Sequence, residues 1–253
     1  MNVNYMLKLF IVFHEKIFDE CYENIPQDVL DKYFTFIAVN KKIPKIYTEG
    51  KYNVVNEWEL PHYNSQFQDK GYKENSAIYH VYANKLYGDA KYIGFFQYDM
   101  YFEKNVIDTI LTEAEKEPSC FYVLDEGIHH TINKTWDEPY VLDYLISLYS
   151  YNFNTSINYK TIGPRLNTYV LPVQSFLKIM EFVSVLYSRL GALCFKKHFN
   201  HIAVLYEIVM AFCISQELLR MIKLDIRHDH DYKSQVDSGE DTLSQYKNTY
   251  KVN

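Results

Sequence analysis

Two short apolar runs near the start of the chain, LKLFIVF at Leu7 to Phe13 and YFTFIAV at Tyr33 to Val39, flank the segment Phe18 to Lys32. Each run has the length of a buried strand, and the segment between them is long enough for a crossover helix. Neighbouring strands joined by such a crossover lie parallel, because an antiparallel pair needs only a hairpin between them. A parallel sheet is covered on both faces, so the expected class is α/β, with helices packed on either side.

KYIGFFQYDMYF, Lys91 to Phe102, reads as a further buried strand centred on Ile93, Gly94, Phe95 and Phe96, and Asp99 falls where that strand leaves the core. Open α/β sheets bind ligands just beyond the carboxyl ends of their strands, which makes a carboxylate there a candidate for a metal or a substrate hydroxyl. The competing reading is a turn residue or the cap of the next helix. Before this strand, Ser76 to Tyr87 carries Ile78, Val81, Tyr82 and Leu86 at helical spacing. After it, Val106 to Glu117 sets Ile107, Ile110, Leu111 and Ala114 on one face and stops at Pro118. CFYVLDEG, Cys120 to Gly127, repeats the pattern of an apolar strand ending in carboxylates, here Asp125 and Glu126. Pro44 to Gln68 reads as an irregular surface connection.

The C-terminal half is richer in helix. Asn167 to Leu171 reads as a strand, Pro172 to Leu190 and Asn200 to Ile222 as helices, and Lys223 to His230 as a last short strand. Both helices carry too many polar residues to span a membrane. Residues 1–231 are expected to form one domain, and 232–253 a polar tail with too little apolar surface to order itself. A formal net charge of -6 argues against a general nucleic-acid binder. Cys21, Cys120, Cys194 and Cys213 show no metal-finger spacing and read as reduced thiols of a cytoplasmic protein. The 25 Tyr and 16 Phe accompany abundant Asn and Lys, a pattern that fits low-GC codon usage better than a glycan-stacking surface.

NSAIYHVYANKLYGDAKYIGFFQYDMYF resembles the bacterial and large-virus glycosyltransferase family known as DUF4422. In that family a "cELTalYWiWKN" helix precedes a "yiGlcHYRRYF" strand; Asn75 to Asn84 is similar to the first and Tyr92 to Phe102 to the second. LNTYVLPVQSFLKIMEFV resembles "sNmFimkkelFdey", and Glu207 stands where the family has the glutamate of "GfisErL". The resemblance implies a GT-A-like fold, a Rossmann-type mostly parallel sheet that binds a nucleotide-sugar, usually with a divalent metal. It therefore implies a glycosyltransferase that moves a sugar from a nucleoside-diphosphate donor to a hydroxyl of a glycan or similar acceptor. A non-catalytic glycan- or nucleotide-binding module on the same fold is the alternative. Where the family has His-Tyr-Arg-Arg, this chain has Gln97-Tyr98-Asp99-Met100, losing two positive charges and gaining a carboxylate.

That exchange favours a metal-bridged diphosphate over one bound by arginine. Mg²⁺ or Mn²⁺ stabilises the charge left on the β-phosphate and needs only one or two protein ligands beside water and phosphate. Asp99 is the first expected ligand. His228 and His230 of RHDHDY are candidates for the second, because many GT-A enzymes return a C-terminal His or Asp to the metal and Mn²⁺ accepts imidazole more readily than Mg²⁺. A solvated polar tail is the plainer reading of that cluster. Phe13 and His14 follow the first strand, where a GT-A fold meets the base and ribose, although Phe13 reads equally as core. Gln97 and Tyr98 complete the expected donor contacts. Lys73 with the helix N-terminus at Asn75 suits a diphosphate, and a plain N-cap at Asn75 or Ser76 is the alternative. For the acceptor, Asp125 and Glu126 are candidate bases, and Glu207 is a third through the resemblance, with an exposed or salt-bridged glutamate as its alternative. His129 and His130 are adjacent, their side chains diverge, and they read as loop residues.

Overall fold

The computed structural model describes residues 6–14, 16–39, 50–69, 73–127, 139–158, 162–193 and 202–228. Its strands are β1 (Leu7–Phe13), β2 (Phe34–Ala38), β3 (Val54–Asn56), β4 (Tyr92–Gln97), β5 (Met100–Tyr101), β6 (Ser119–Tyr122), β7 (Asp125–Gly127), β8 (Ile162–Pro164), β9 (Tyr169–Pro172), β10 (Arg220–Lys223) and β11 (Arg227–His228). The helices are α1 (Gln27–Tyr33), α2 (Ser65–Asp69), α3 (Glu74–Ala83), α4 (Lys104–Ala114), α5 (Pro139–Phe153), α6 (Val173–Leu193) and α7 (Ile202–Gln216). Seven strands form one sheet in the order β10-β6-β9-β4-β1-β2-β3. It is parallel throughout except at β9, which runs antiparallel to both β4 and β6. Leu9 sits opposite Phe34 on one side of β1, and Leu7 opposite Tyr92 on the other.

Alternation along the strands sorts the core into two layers. Phe10, Val12, Ile93, Phe95, Tyr169 and Leu171 pack with Ala77, Ile78 and Val81 of α3 and with the buried faces of α6 and α7. On the other face Leu9, Ile11, Phe34, Phe36, Phe96 and Val170 meet Leu30 of α1 and Val106, Ile107 and Ile110 of α4. Burial on both faces is why these strands read as continuous apolar runs. Gly94 sits where β1, β4 and β9 crowd together: a Cβ there would lie 2.7 Å from both Leu9 Cδ2 and Val170 Cγ2.

Several boundaries differ from the sequence expectation. The crossover after β1 is a turn of 3-10 helix at Asp19–Cys21 followed by the short α1, because Pro26 has no N–H to continue an earlier helix and stands at the N-cap of α1. Cys120 to Gly127 is two strands: β6 joins the main sheet, whereas β7 pairs with β8 in a separate two-stranded ribbon. The last helix ends at Gln216, so Arg220–Lys223 leaves it and adds to β6 as the edge strand β10. The irregular connection contains β3, and Asn167 lies in a turn before β9. Among the described residues, no helix is long and apolar enough to cross a membrane. The expected tail at 232–253 lies outside the described residues.

A buried polar cluster fastens the segment after β3 to α3. His80 Nδ1 lies 2.6 Å from Glu57 Oε1, and Asn64 N–H donates to His80 Nε2 at 2.8 Å. Nε2 therefore carries a lone pair and Nδ1 the proton, which gives a neutral imidazole donating to a carboxylate. Ser76 Oγ donates to the same carboxylate oxygen.

Candidate functional site

The strand order reverses between β1 and β4: the chain leaves β1 toward β2 on one side, while β4 lies on the other. Such a switch point opens a crevice at the carboxyl ends of the two strands. His14 follows β1 and Tyr98 follows β4, and their rings meet edge to face with centroids 4.8 Å apart. Phe18 stacks on Tyr98 at 5.4 Å, with Lys16 Nζ 4.4 Å from the Phe18 ring. Tyr22 Oη donates to the Tyr98 carbonyl at 3.1 Å, and burial holds the Tyr22 phenol well above its ordinary range. Phe13 is fully buried in the layer beside α1, so its ring belongs to the core and His14 is the first residue of β1's end to reach the crevice.

Asp99 lies in the turn two residues beyond β4 and is 6% exposed. The next two residues form β5, which pairs antiparallel with β11, Met100 opposite His228 and Tyr101 opposite Arg227. This pairing carries His228 Nε2 to 3.0 Å from Asp99 Oδ2. Asp99 Oδ1 is buried with no hydrogen-bond partner among the described residues, a state that costs a charged group more than the 1–3 kcal/mol or so of a neutral one. The Asp99–His228 separation is that of a direct hydrogen bond; neighbouring ligands of an octahedral ion with bonds of about 2.1 Å lie about 3.0 Å apart as well, so the pair could hold Mg²⁺ or Mn²⁺ in place of that contact. Among the described residues, no group of three or more His, Cys, Asp or Glu side chains is placed to hold a metal ion. An ion here would complete its shell with water and phosphate oxygens. The Arg227 guanidinium lies 4.0 Å from the centre of the Tyr101 ring, next in register to His228 on β11. His230, like His129 and His130, lies outside the described residues.

Three further expected residues meet at the turn from β8 to β9. Gln97 Nε2 donates to the Leu166 carbonyl at 3.3 Å, and Glu207 Oε1 accepts from Leu166 N–H at 2.7 Å. Asn75 Oδ1 accepts from Asn167 Nδ2 at 3.3 Å. Asn75 is buried inside the first turn of α3 and is not its cap; that position is taken by Lys73, which is exposed with φ 50°. Asp125 and Glu126 lie on β7, just beyond Leu124, whose carbonyl accepts from Arg165 N–H at 2.8 Å. Of the expected residues, His14, Tyr98, Asp99 and His228 gather at the end of β4, and Gln97, Asn75 and Glu207 gather around the Leu166–Asn167 turn. Sequence reading passed over Phe18, Arg227 and Asn167. Arg227 was adjacent to a named histidine, and Asn167 was the asparagine of the quoted LNTYVL motif.

No protein-family model matches the sequence, and no curated protein matches it. Among solved structures, the chain is similar to WbbM, a bifunctional glycosyltransferase determined in its apo form, with a TM-score of 0.57 and 14% identity. The match covers 87% of this chain and 45% of that one, so the chain spans less than half the length of that protein. At this identity the likeness concerns the fold: a helix-flanked, mostly parallel sheet of the kind found in a glycosyltransferase.

Proposed function

We propose that the chain is a metal-assisted glycosyltransferase of the GT-A type, related to the DUF4422 family, that moves a sugar from a nucleoside-diphosphate donor to a hydroxyl of a glycan or similar acceptor. The observation that carries the reading is the Asp99–His228 pair at the switch point, 3.0 Å apart, with one buried carboxylate oxygen that has no partner among the described residues. The fold shared with a glycosyltransferase supports it. Asp99 and His228 hold Mn²⁺ or Mg²⁺. Held there, such a cation would supply Lewis-acid stabilisation of the negative charge left on the β-phosphate as the sugar leaves.

The remaining roles belong to the chain's own groups. His14, Tyr98 and Phe18 form an aromatic wall suited to a nucleotide base. Arg227, seated on Tyr101, adds positive charge beside Asp99 and offsets part of what the exchange of Arg-Arg for Asp99-Met100 removes. Lys73 at the start of α3 is a further donor for phosphate oxygens. Asp125 or Glu126 receives the proton of the acceptor hydroxyl.

A thermal-shift screen tests the reading. UDP-, GDP-, CMP- and dTDP-sugars are compared with and without Mn²⁺ on the wild type and on Asp99→Asn. A ligand at about 100 times its dissociation constant stabilises the native state by about 2.7 kcal/mol. The expected result is a Mn²⁺-dependent shift with one nucleotide that disappears in the variant. No shift with any nucleotide, or one that the variant retains, overturns the assignment of Asp99.

A further inference from the structure

The turn between β8 and β9 is held more firmly than a connection requires. Leu166 and Asn167 both adopt left-handed backbone, with φ of 56° and 52°. Asparagine tolerates that conformation; leucine does so only under constraint. Here the constraint comes from several elements at once. Glu207 of α7 accepts from Leu166 N–H, Gln97 at the end of β4 donates to the Leu166 carbonyl, and Asn75 of α3 accepts from Asn167 Nδ2. Strain that the surroundings over-determine in this way is found where a side chain must be aimed.

The side chain being aimed is Asn167. Asn75 donates its own Nδ2 to the Ala203 carbonyl at 2.9 Å, so Asn75 offers Asn167 an oxygen, and Asn167 must turn its Nδ2 toward it. Asn167 Oδ1 is left facing the other way. It is buried, in a residue 5% exposed, with no hydrogen-bond partner among the described residues. Leu166, its neighbour, touches Gln97, and Asp99 is two residues beyond Gln97. Asn167 is thus linked to the end of β4 through Leu166 and Gln97, two residues before Asp99.

We infer that Asn167 is a specificity-determining contact for the sugar of the donor, its Oδ1 accepting a hydrogen bond from one sugar hydroxyl, and that Glu207 is a positioning residue which holds the turn for it. The inference rests on the nucleotide-sugar reading above. The sugar is bonded to the β-phosphate and is the part of the donor that follows directly from a diphosphate bound at Asp99. A hydroxyl satisfies the acceptor, whereas a deoxy sugar leaves it buried and unpaired, and sites of this kind reject such analogues strongly. Glu207 acts through Leu166 N–H, and at that contact an amide oxygen can accept as the carboxylate does.

Titration calorimetry with Mn²⁺ separates these roles by comparing a nucleoside diphosphate with its sugar conjugate. Asn167→Gly removes the side chain at a position whose φ favours glycine, so the fold is retained. The variant is expected to bind the nucleoside diphosphate as the wild type does and the conjugate about tenfold more weakly or worse. Glu207→Ala is expected to follow Asn167→Gly, and Glu207→Gln to follow the wild type. Monodeoxy-sugar conjugates give the same test on the unmodified protein, where removal of one hydroxyl should cost about tenfold in affinity. Unchanged conjugate affinity in Asn167→Gly, or equal binding of every deoxy analogue, overturns the sugar contact. Glu207→Gln as weak as Glu207→Ala overturns the positioning role. Failure of the wild type to bind any nucleoside diphosphate overturns the inference together with the reading beneath it, a result distinct from loss of the sugar contribution alone.

Discussion

At the residue scale, Asp99 is the side chain whose surroundings suit function better than stability. A carboxylate this buried, with Oδ2 on His228 and Oδ1 on nothing among the described residues, is costly to keep. Asp99→Asn retains the shape, and its amide N–H can donate to His228 Nε2. The ligand-free variant is therefore expected to melt at the wild-type temperature or above it. Each kcal/mol or so of that penalty relieved corresponds to a rise of about 2–4 °C in a chain of this size. Differential scanning fluorimetry without metal reads this directly, and a fall of several degrees would show that Asp99 supports the fold as a turn or cap residue. Asp99 was legible because a carboxylate ending an apolar strand is a local pattern. His228 was legible as one of two alternating histidines, but its contact with Asp99 spans 129 positions and depends on β11 pairing with β5, which no local pattern announces. The turn at Leu166 was less legible still, because leucine gives no sign of a left-handed backbone.

At the scale of elements, the strands were the readable part of the fold, since a run buried on both faces is apolar at every position. Their ends were less readable: Tyr122 to Asp125 continues the apolar run in sequence, yet the chain changes sheets there. The helix that was expected to reach Ile222 ends early because its last residues complete the sheet edge beside β6. Gly94 tests the packing of the elements that build the site. A methyl group there meets Leu9 and Val170 at 2.7 Å, and the β-branched Val170, buried and flanked by β4 and β6, has little room to yield. Gly94→Ala is expected to cost about 1–3 kcal/mol. Urea unfolding should show a lower midpoint with an unchanged slope. A wild-type midpoint would mean that β1 and β9 are not pressed against β4 as described.

At the scale of the whole molecule, the aromatic and thiol content makes alkaline pH the condition that probes the core. Tyr22 and Tyr169 are fully buried, and burial raises both phenols well above their ordinary value of 10.0. Burial also pushes the Cys120 thiol up from 9.0 to about 12 and raises Cys213, Tyr52 and Tyr149. A group whose folded value is raised holds its proton in the native state at pH values where the unfolded chain has lost it. Between about pH 9 and 12 the unfolded state thus binds fewer protons, and stability falls as pH rises. Lys8 acts in the opposite direction, since burial lowers its ammonium from 10.5, but it is one group against several. The urea midpoint is expected to be flat from pH 7 to about 8.5 and to drop steeply above pH 9. Tyrosinate absorbance should rise in two steps, the exposed phenols at once and the buried ones only as the chain unfolds. A midpoint constant to pH 11, with all tyrosines titrating in one early step, would mean that solvent already reaches the layers on which the switch-point crevice is built.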